Sequence, residues 1–140
     1  VTDIQRLQRI QNWAAKLICR VTKYDHATPC LLKLHWLPIR ERINFKILMY
    51  IYKCLNGTAP TYLTSSLSLY RSTRTGLRSA SDTTRLTVPR TVRSLKSAAN
   101  RSFIHVAPRL WNSLPATIRE SKSVTIFKKH LKTHLYPKHH

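Results

Sequence analysis

The stretch from Leu34 to Gly57 constrains the fold most. Pro38 suits the first position of a helix, because the N–H it lacks would have no intrahelical partner there. Asn56-Gly57 is a stop signal, since Gly closes a helix in the left-handed conformation. Between them Ile39, Ile43, Phe45, Ile47, Leu48, Tyr50, Ile51, Tyr52, Cys54 and Leu55 cover most of the circumference, leaving Arg42, Lys46 and Lys53 in one narrow wedge. A helix apolar on most sides is one packed by neighbours on several faces. The spacing therefore predicts a central apolar helix over about 39–55, with His35-Trp36-Leu37 folding into its start. The fold class that follows is mainly α, a small helical array around this helix.

The first helix is predicted over roughly Asp3 to Arg20. Thr2-Asp3-Ile4-Gln5 is a capping-box sequence. Ile4, Leu7, Ile10, Ala14, Leu17, Ile18 and Val21 then recur at helical spacing and form its apolar side. Another side carries Arg9, Trp13, Lys16 and Arg20 as one stripe, with Arg6 beside it. A basic stripe with an aromatic in its middle suits a surface that tracks a nucleic-acid backbone while Trp13 stacks on a base or ribose. The plainer reading is a solvated basic face with Trp13 packed on a neighbouring helix.

Tyr24 to Thr28 reads as a turn, followed by a short helix through Leu34 with Thr28 as cap and Pro29 at its first position. Ala59-Pro60 breaks the chain, and Pro60 starts a short helix through Leu67. From Arg71 to Arg101 composition changes. Arg71, Arg74, Arg78, Arg85, Arg90, Arg93, Lys96 and Arg101 lie among many Ser and Thr, with Asp82 as the acid. One short β-hairpin near 77–88, turning near Ser81 to Thr84, is an expectation for this stretch. The stretch is either a phosphate-binding arm or a poorly ordered linker. In Ser102 to Leu114, Pro108 is expected to divide two short helices. Ser123 should cap a last helix running to about Tyr136, with Val124, Phe127, Leu131 and Leu135 as its apolar stripe. The regions expected are thus 1–69, helical; 70–101, a basic Ser/Thr-rich arm or hairpin; and 102–140, a C-terminal helical region packing on the first.

Charge narrows the function. The chain of 140 residues carries 25 Lys plus Arg against 5 Asp plus Glu, a net +20. Such a field repels itself unless a polyanion shares it. RNA or DNA is the leading candidate, because Lys and Arg displace condensed counterions from phosphates. An anionic membrane surface is second. The longest apolar run, Ile47 to Tyr52, is far too short to span a bilayer.

Catalysis by the chain itself is disfavoured. Metal-assisted polymerisation or nuclease chemistry needs clustered carboxylates, whereas Asp3, Asp25, Glu41, Asp82 and Glu120 are scattered singly. Gly57 and Gly76 are the only glycines, so there is no Gly-rich phosphate loop. His26, Cys30 and His35 lie close in sequence, and His130 and His134 share a helical face, but paired-cysteine finger spacing is absent. No catalytic residue, metal ligand or cofactor is expected. Cys19, Cys30 and Cys54 suit buried thiols in a reduced intracellular setting. A chain that begins with Val and has its one Met at Met49 is expected to be a piece of a longer polypeptide.

Several of these segments together resemble one known region. They are Arg6-Leu-Gln-Arg-Ile-Gln-Asn-Trp-Ala-Ala-Lys-Leu17, Asp25-His-Ala-Thr-Pro29, Leu34-His-Trp-Leu-Pro-Ile-Arg-Glu-Arg-Ile-Asn-Phe-Lys-Ile47 and Tyr52-Lys-Cys-Leu-Asn-Gly-Thr-Ala-Pro-Thr-Tyr-Leu63. Val88-Pro-Arg90, Ala107-Pro-Arg-Leu-Trp-Asn-Ser-Leu-Pro115 and Phe127-Lys-Lys-His-Leu-Lys-Thr-His-Leu135 continue the likeness over nearly all of the chain. The sequence is similar to the region that follows the reverse-transcriptase palm in non-LTR, LINE-type retrotransposon polyproteins of the jockey and chicken-repeat branch. Ala99-Asn100-Arg101 departs from the Gly-Asp-Arg of many relatives.

The resemblance implies a thumb-like region over 1–69 and a small C-terminal domain. It implies a parent RNA-directed DNA polymerase whose catalytic carboxylates lie upstream, that upstream core as a partner, and a nuclear and cytoplasmic location. It assigns no catalytic residue here. The function expected is non-catalytic holding of template RNA, primer or target DNA by backbone contacts. The candidate contacts are Arg6, Arg9, Trp13, Lys16 and Arg20 together with Arg71, Arg74, Arg78, Arg85, Arg90 and Arg93. The alternatives are a packing module of the polymerase with no nucleic-acid role, or an orphan fragment that binds polyanions indiscriminately.

Overall fold

The computed structural model of the protein describes residues 2–71, 84–90 and 102–136. Among these residues the chain is mainly helical. The helices are α1 (Asp3–Cys19), α2 (Ala27–Lys33), α3 (Ile39–Leu55), α4 (Thr61–Thr64), α5 (Phe103–Ser113), α6 (Ala116–Arg119) and α7 (Val124–Leu135). The chain divides into two compact units, one of residues 1–45 with 132–140 and one of residues 46–131. No helix among the described residues is long and apolar enough to cross a membrane.

In the first unit α1 begins as its capping box dictates. The Thr2 hydroxyl accepts the Gln5 N–H at 3.4 Å, and the Gln5 side chain accepts the Thr2 N–H at 3.0 Å. The side of α1 that turns inward is not the apolar one. Gln11 and Ala15 are buried, whereas Leu7, Ile10, Leu17 and Ile18 are exposed, Leu17 by 81%. The physical reason is the backbone that α1 must satisfy. Gln11 Nε2 donates to the Leu37 carbonyl at 2.9 Å, and the Ile39 N–H donates to Gln8 Oε1 at 2.8 Å. Gln8 in turn donates to Gln11 and Asn12. A buried carbonyl or N–H left alone costs about 1–3 kcal/mol, so an amide ladder is well spent on that side. Ala15 keeps the approach short, and it forms a small core with Cys30 and Leu31 against which Cys19, Leu34 and Trp36 pack.

The start of α2 differs from the expectation. It begins at Ala27, with His26 rather than Thr28 at the cap and no side-chain cap bond. Pro29 therefore sits at the third helical position. Pro is tolerated there because first-turn N–H groups have no intrahelical partner. The preceding turn is tied by Thr22, whose N–H and hydroxyl both donate to the Asp25 carboxylate.

α3 spans the residues its sequence signals delimit. Its end is a Schellman closure: the Gly57 N–H bonds the Cys54 carbonyl, the Thr58 N–H bonds the Lys53 carbonyl, and Gly57 takes φ 69°. Burial along α3 is uneven. Leu48, Ile51, Tyr52 and Cys54 are buried, while Ile43 and Tyr50 are exposed.

The second unit has the aromatic core. Tyr52 stacks on Phe127 with ring centroids 4.3 Å apart, and Trp111 packs on Phe127 at 5.7 Å. Leu48, Ile51, Leu86, Pro108 and Leu131 are also fully buried. Pro108 does not divide the segment, because α5 runs unbroken from Phe103 to Ser113. Its ring is fully buried. The carbonyl it leaves without a helical partner belongs to Ile104, an exposed residue. Leu114-Pro115 ends α5 as expected, and Pro115 then starts α6, a turn of helix not anticipated. The Ser123 hydroxyl accepts the Ile126 N–H and caps α7.

Residues 84–87 are pinned on two sides. Leu86 makes an antiparallel bridge to Leu69, with the Tyr70 N–H donating to the Arg85 carbonyl and the Thr87 N–H to the Ser68 carbonyl, each at 2.8 Å. On the other side the Asn112 amide imitates a strand: it accepts the Leu86 N–H and donates to the Leu86 carbonyl. Trp111 Nε1 donates to the Thr84 carbonyl at 2.7 Å. The expected hairpin near 77–88 has its turn and first arm outside the described residues, apart from Thr84; the arm that is described pairs with Leu69.

Candidate nucleic-acid interface

The helical rise of α1 places Arg6, Arg9, Trp13 and Lys16 three or four residues apart, and neighbours at that spacing share a face. Arg20 stands at the C-cap, where it adopts a left-handed backbone with φ 55°. All five belong to the first unit. Trp13 is 70% exposed, and among the described residues its side chain takes part in no hydrogen bond or ring contact.

The cations of this row differ in how free they are. Arg9 is exposed, and among the described residues its side chain has neither ion pair nor hydrogen bond. Arg6 makes an exposed contact with Asp3 at 3.8 Å, which contributes little in water. Lys16 is half-buried, and its ammonium donates to the Lys23 carbonyl at 2.8 Å. It also lies near Asp25, whose carboxyl is held below its ordinary range first by the Thr22 hydroxyl and then by the Thr22 N–H, with Lys16 a lesser contributor. Lys16 thus anchors the turn after α1 as well as adding charge.

That turn presents two residues the sequence reading passed over. Tyr24 is 85% exposed, and the Lys23 ammonium lies 4.9 Å from its ring centroid. An aromatic beside a cation just past a basic helix was the available signal. The other side of α1 was read as apolar but not as bare.

Arg71, Arg85 and Arg90 belong to the second unit and are all exposed. The backbone of Arg85 is held by the Tyr70 bond, so this residue sits on a fixed segment. Arg74, Arg78 and Arg93 lie outside the described residues. Among the described residues no three His, Cys, Asp or Glu side chains gather as a metal-holding group. The three cysteines are free thiols; burial pushes the thiols of Cys30 and Cys54 up, with Cys19 adding to the effect at Cys30.

The arrangement on α1 can hold a phosphate backbone by charge and one unstacked base by its aromatic ring. It contains no nucleophile–base pair and no clustered carboxylates. No family model, curated protein or solved structure matches the chain.

Proposed function

We propose that the chain is a non-catalytic nucleic-acid-binding region of a retrotransposon reverse transcriptase, which holds template RNA, primer or target DNA by backbone contacts while an upstream core makes the bonds. The observation that carries this reading is Trp13, 70% exposed and unpacked in the same row as the unpaired Arg9. An exposed aromatic in a row of cations is the arrangement on which a base stacks while its phosphates are held. The net charge of +20 supports the same partner.

The test is binding to an RNA–DNA hybrid across a salt series. Affinity should fall steeply with salt, and Arg9→Glu with Arg20→Glu should flatten the slope by about one per lost phosphate contact. Trp13→Ala should cost about 1–3 kcal/mol on a single-stranded RNA. Salt-independent binding, or a slope untouched by the charge reversals, would remove the reading.

A second reading has its own observation. Leu7, Ile10, Leu17 and Ile18 form an uncovered apolar side of α1. A packing module, lodged against another part of the polymerase, would present such a surface to it. It predicts that Arg9→Glu with Arg20→Glu leaves template binding by the full enzyme intact, while Leu17→Gln with Ile10→Gln does not.

A further inference from the structure

The first unit contains a cavity of about 580 Å³ bordered by α1, α2 and the first turn of α3. That size lies within the range of small-molecule sites. Its wall is unusual for a chain so short of acids. Glu41 lines it, and among the described residues its side chain has neither ion pair nor hydrogen bond, nor has that of Arg40 beside it. Trp36 also lines it, packed against the Ala15, Cys30 and Leu31 core, and among the described residues its indole N–H has no partner. α1 borders it through Gln5 and Asn12, whose amide oxygens accept the Thr2 N–H and the Gln8 side chain. Arg9 lies four residues beyond Gln5 and three before Asn12, so on α1 the basic row lies beside residues that line the cavity.

An aromatic wall, a carboxylate without a side-chain partner and the amide nitrogens of Gln5 and Asn12, beside the basic row, describe a site for one extruded base. The carboxylate selects which base. It accepts two parallel N–H donors, and guanine presents such a pair on its Watson–Crick edge, from N1 and the exocyclic amine. Uracil presents one N–H between two carbonyls, and adenine and cytosine each present an amine beside an acceptor. A phosphate, by contrast, is repelled by Glu41.

We infer that the cavity between α1, α2 and the start of α3 binds a single unpaired guanine nucleotide, stacked on Trp36 and read by Glu41, with Arg40 near its phosphate. This deepens the proposed function and rests on it for the strand that delivers the base.

The experiment uses the full chain and three labelled RNA–DNA hybrids: fully paired, with one bulged guanosine, and with one bulged uridine. GMP and UMP are titrated separately by calorimetry. The guanosine bulge should bind about tenfold tighter than the uridine bulge, in the range expected of one good bidentate contact. Glu41→Gln should bring the two within about twofold and leave the fully paired hybrid unchanged. Trp36→Phe should weaken both bulges together. Equal affinity for the two bulges with no preference for GMP over UMP, or a guanosine preference that survives Glu41→Gln, overturns the inference. If no hybrid binds at all, the backbone-holding function falls; a GMP preference lost in Glu41→Gln then sustains the cavity alone, and its absence ends that too.

Discussion

The residues that α7 removes from solvent are Phe127 and Leu131, and those that α1 removes are Gln11 and Ala15. Both helices are amphipathic and both carry cations, yet one turns hydrocarbon inward and the other turns amides inward. The difference follows from what each meets. α7 meets the rings of Tyr52 and Trp111, which offer apolar surface and have their own polar tips satisfied elsewhere: Tyr52 Oη donates to the Ser121 carbonyl and Trp111 Nε1 to the Thr84 carbonyl. α1 meets the chain turning into α3, where the Leu37 carbonyl and the Ile39 N–H need partners. Leucines would leave both groups unbonded, so the amide side goes in.

The comparison can be broken at three places. The largest effect is expected at Phe127, which is fully buried and touches both other rings. Phe127→Ala should cost about 3–5 kcal/mol in chemical denaturation. A cost below about 1 kcal/mol would mean that this core is not what holds the second unit together.

Next comes Gln11. Gln11→Ala removes the donor to the Leu37 carbonyl and should destabilise the chain by about 1–3 kcal/mol. The sharper variant is Gln11→Leu, which adds hydrocarbon and still loses the bond. If it stabilised the protein, the account of why α1 turns its amides inward would be wrong.

The smallest effect is expected at Leu17, 81% exposed on the outward side of α1. Leu17→Gln should stay within about 0.5 kcal/mol, against several for the equivalent change at the buried Leu131. A large loss at Leu17 would show that something covers it in solution. Sedimentation would tell whether the cover is a second copy, which the charge of +20 opposes.

Local signals in the sequence were legible where the physics is local. Thr2 with Gln5, Asn56 with Gly57, and Ser123 each close or open a helix through neighbours within a few residues. The candidate site was legible in part for the same reason: the row of Arg6, Arg9, Trp13 and Lys16 needs only helical periodicity. Its bareness was not. Whether Trp13 stacks on a neighbour or faces solvent depends on residues distant in the chain. In the sequence the Trp111-Asn112 pair stands out only as part of a motif. Its use, holding residues 84–86 by an indole N–H and a two-pronged amide, required the chain to bring residues 27 and 26 positions apart into register.

The sequence by itself determined the mainly helical class, the capped starts of α1 and α7, the closure of α3 and the excess of cations, because propensity, capping and charge act over one or two turns. Tertiary structure decided which side of each helix is hidden. Apolar periodicity identifies a stripe, but burial goes to whichever side best satisfies the surface that arrives against it. In α1 that surface was polar backbone, and the amides were chosen over the leucines.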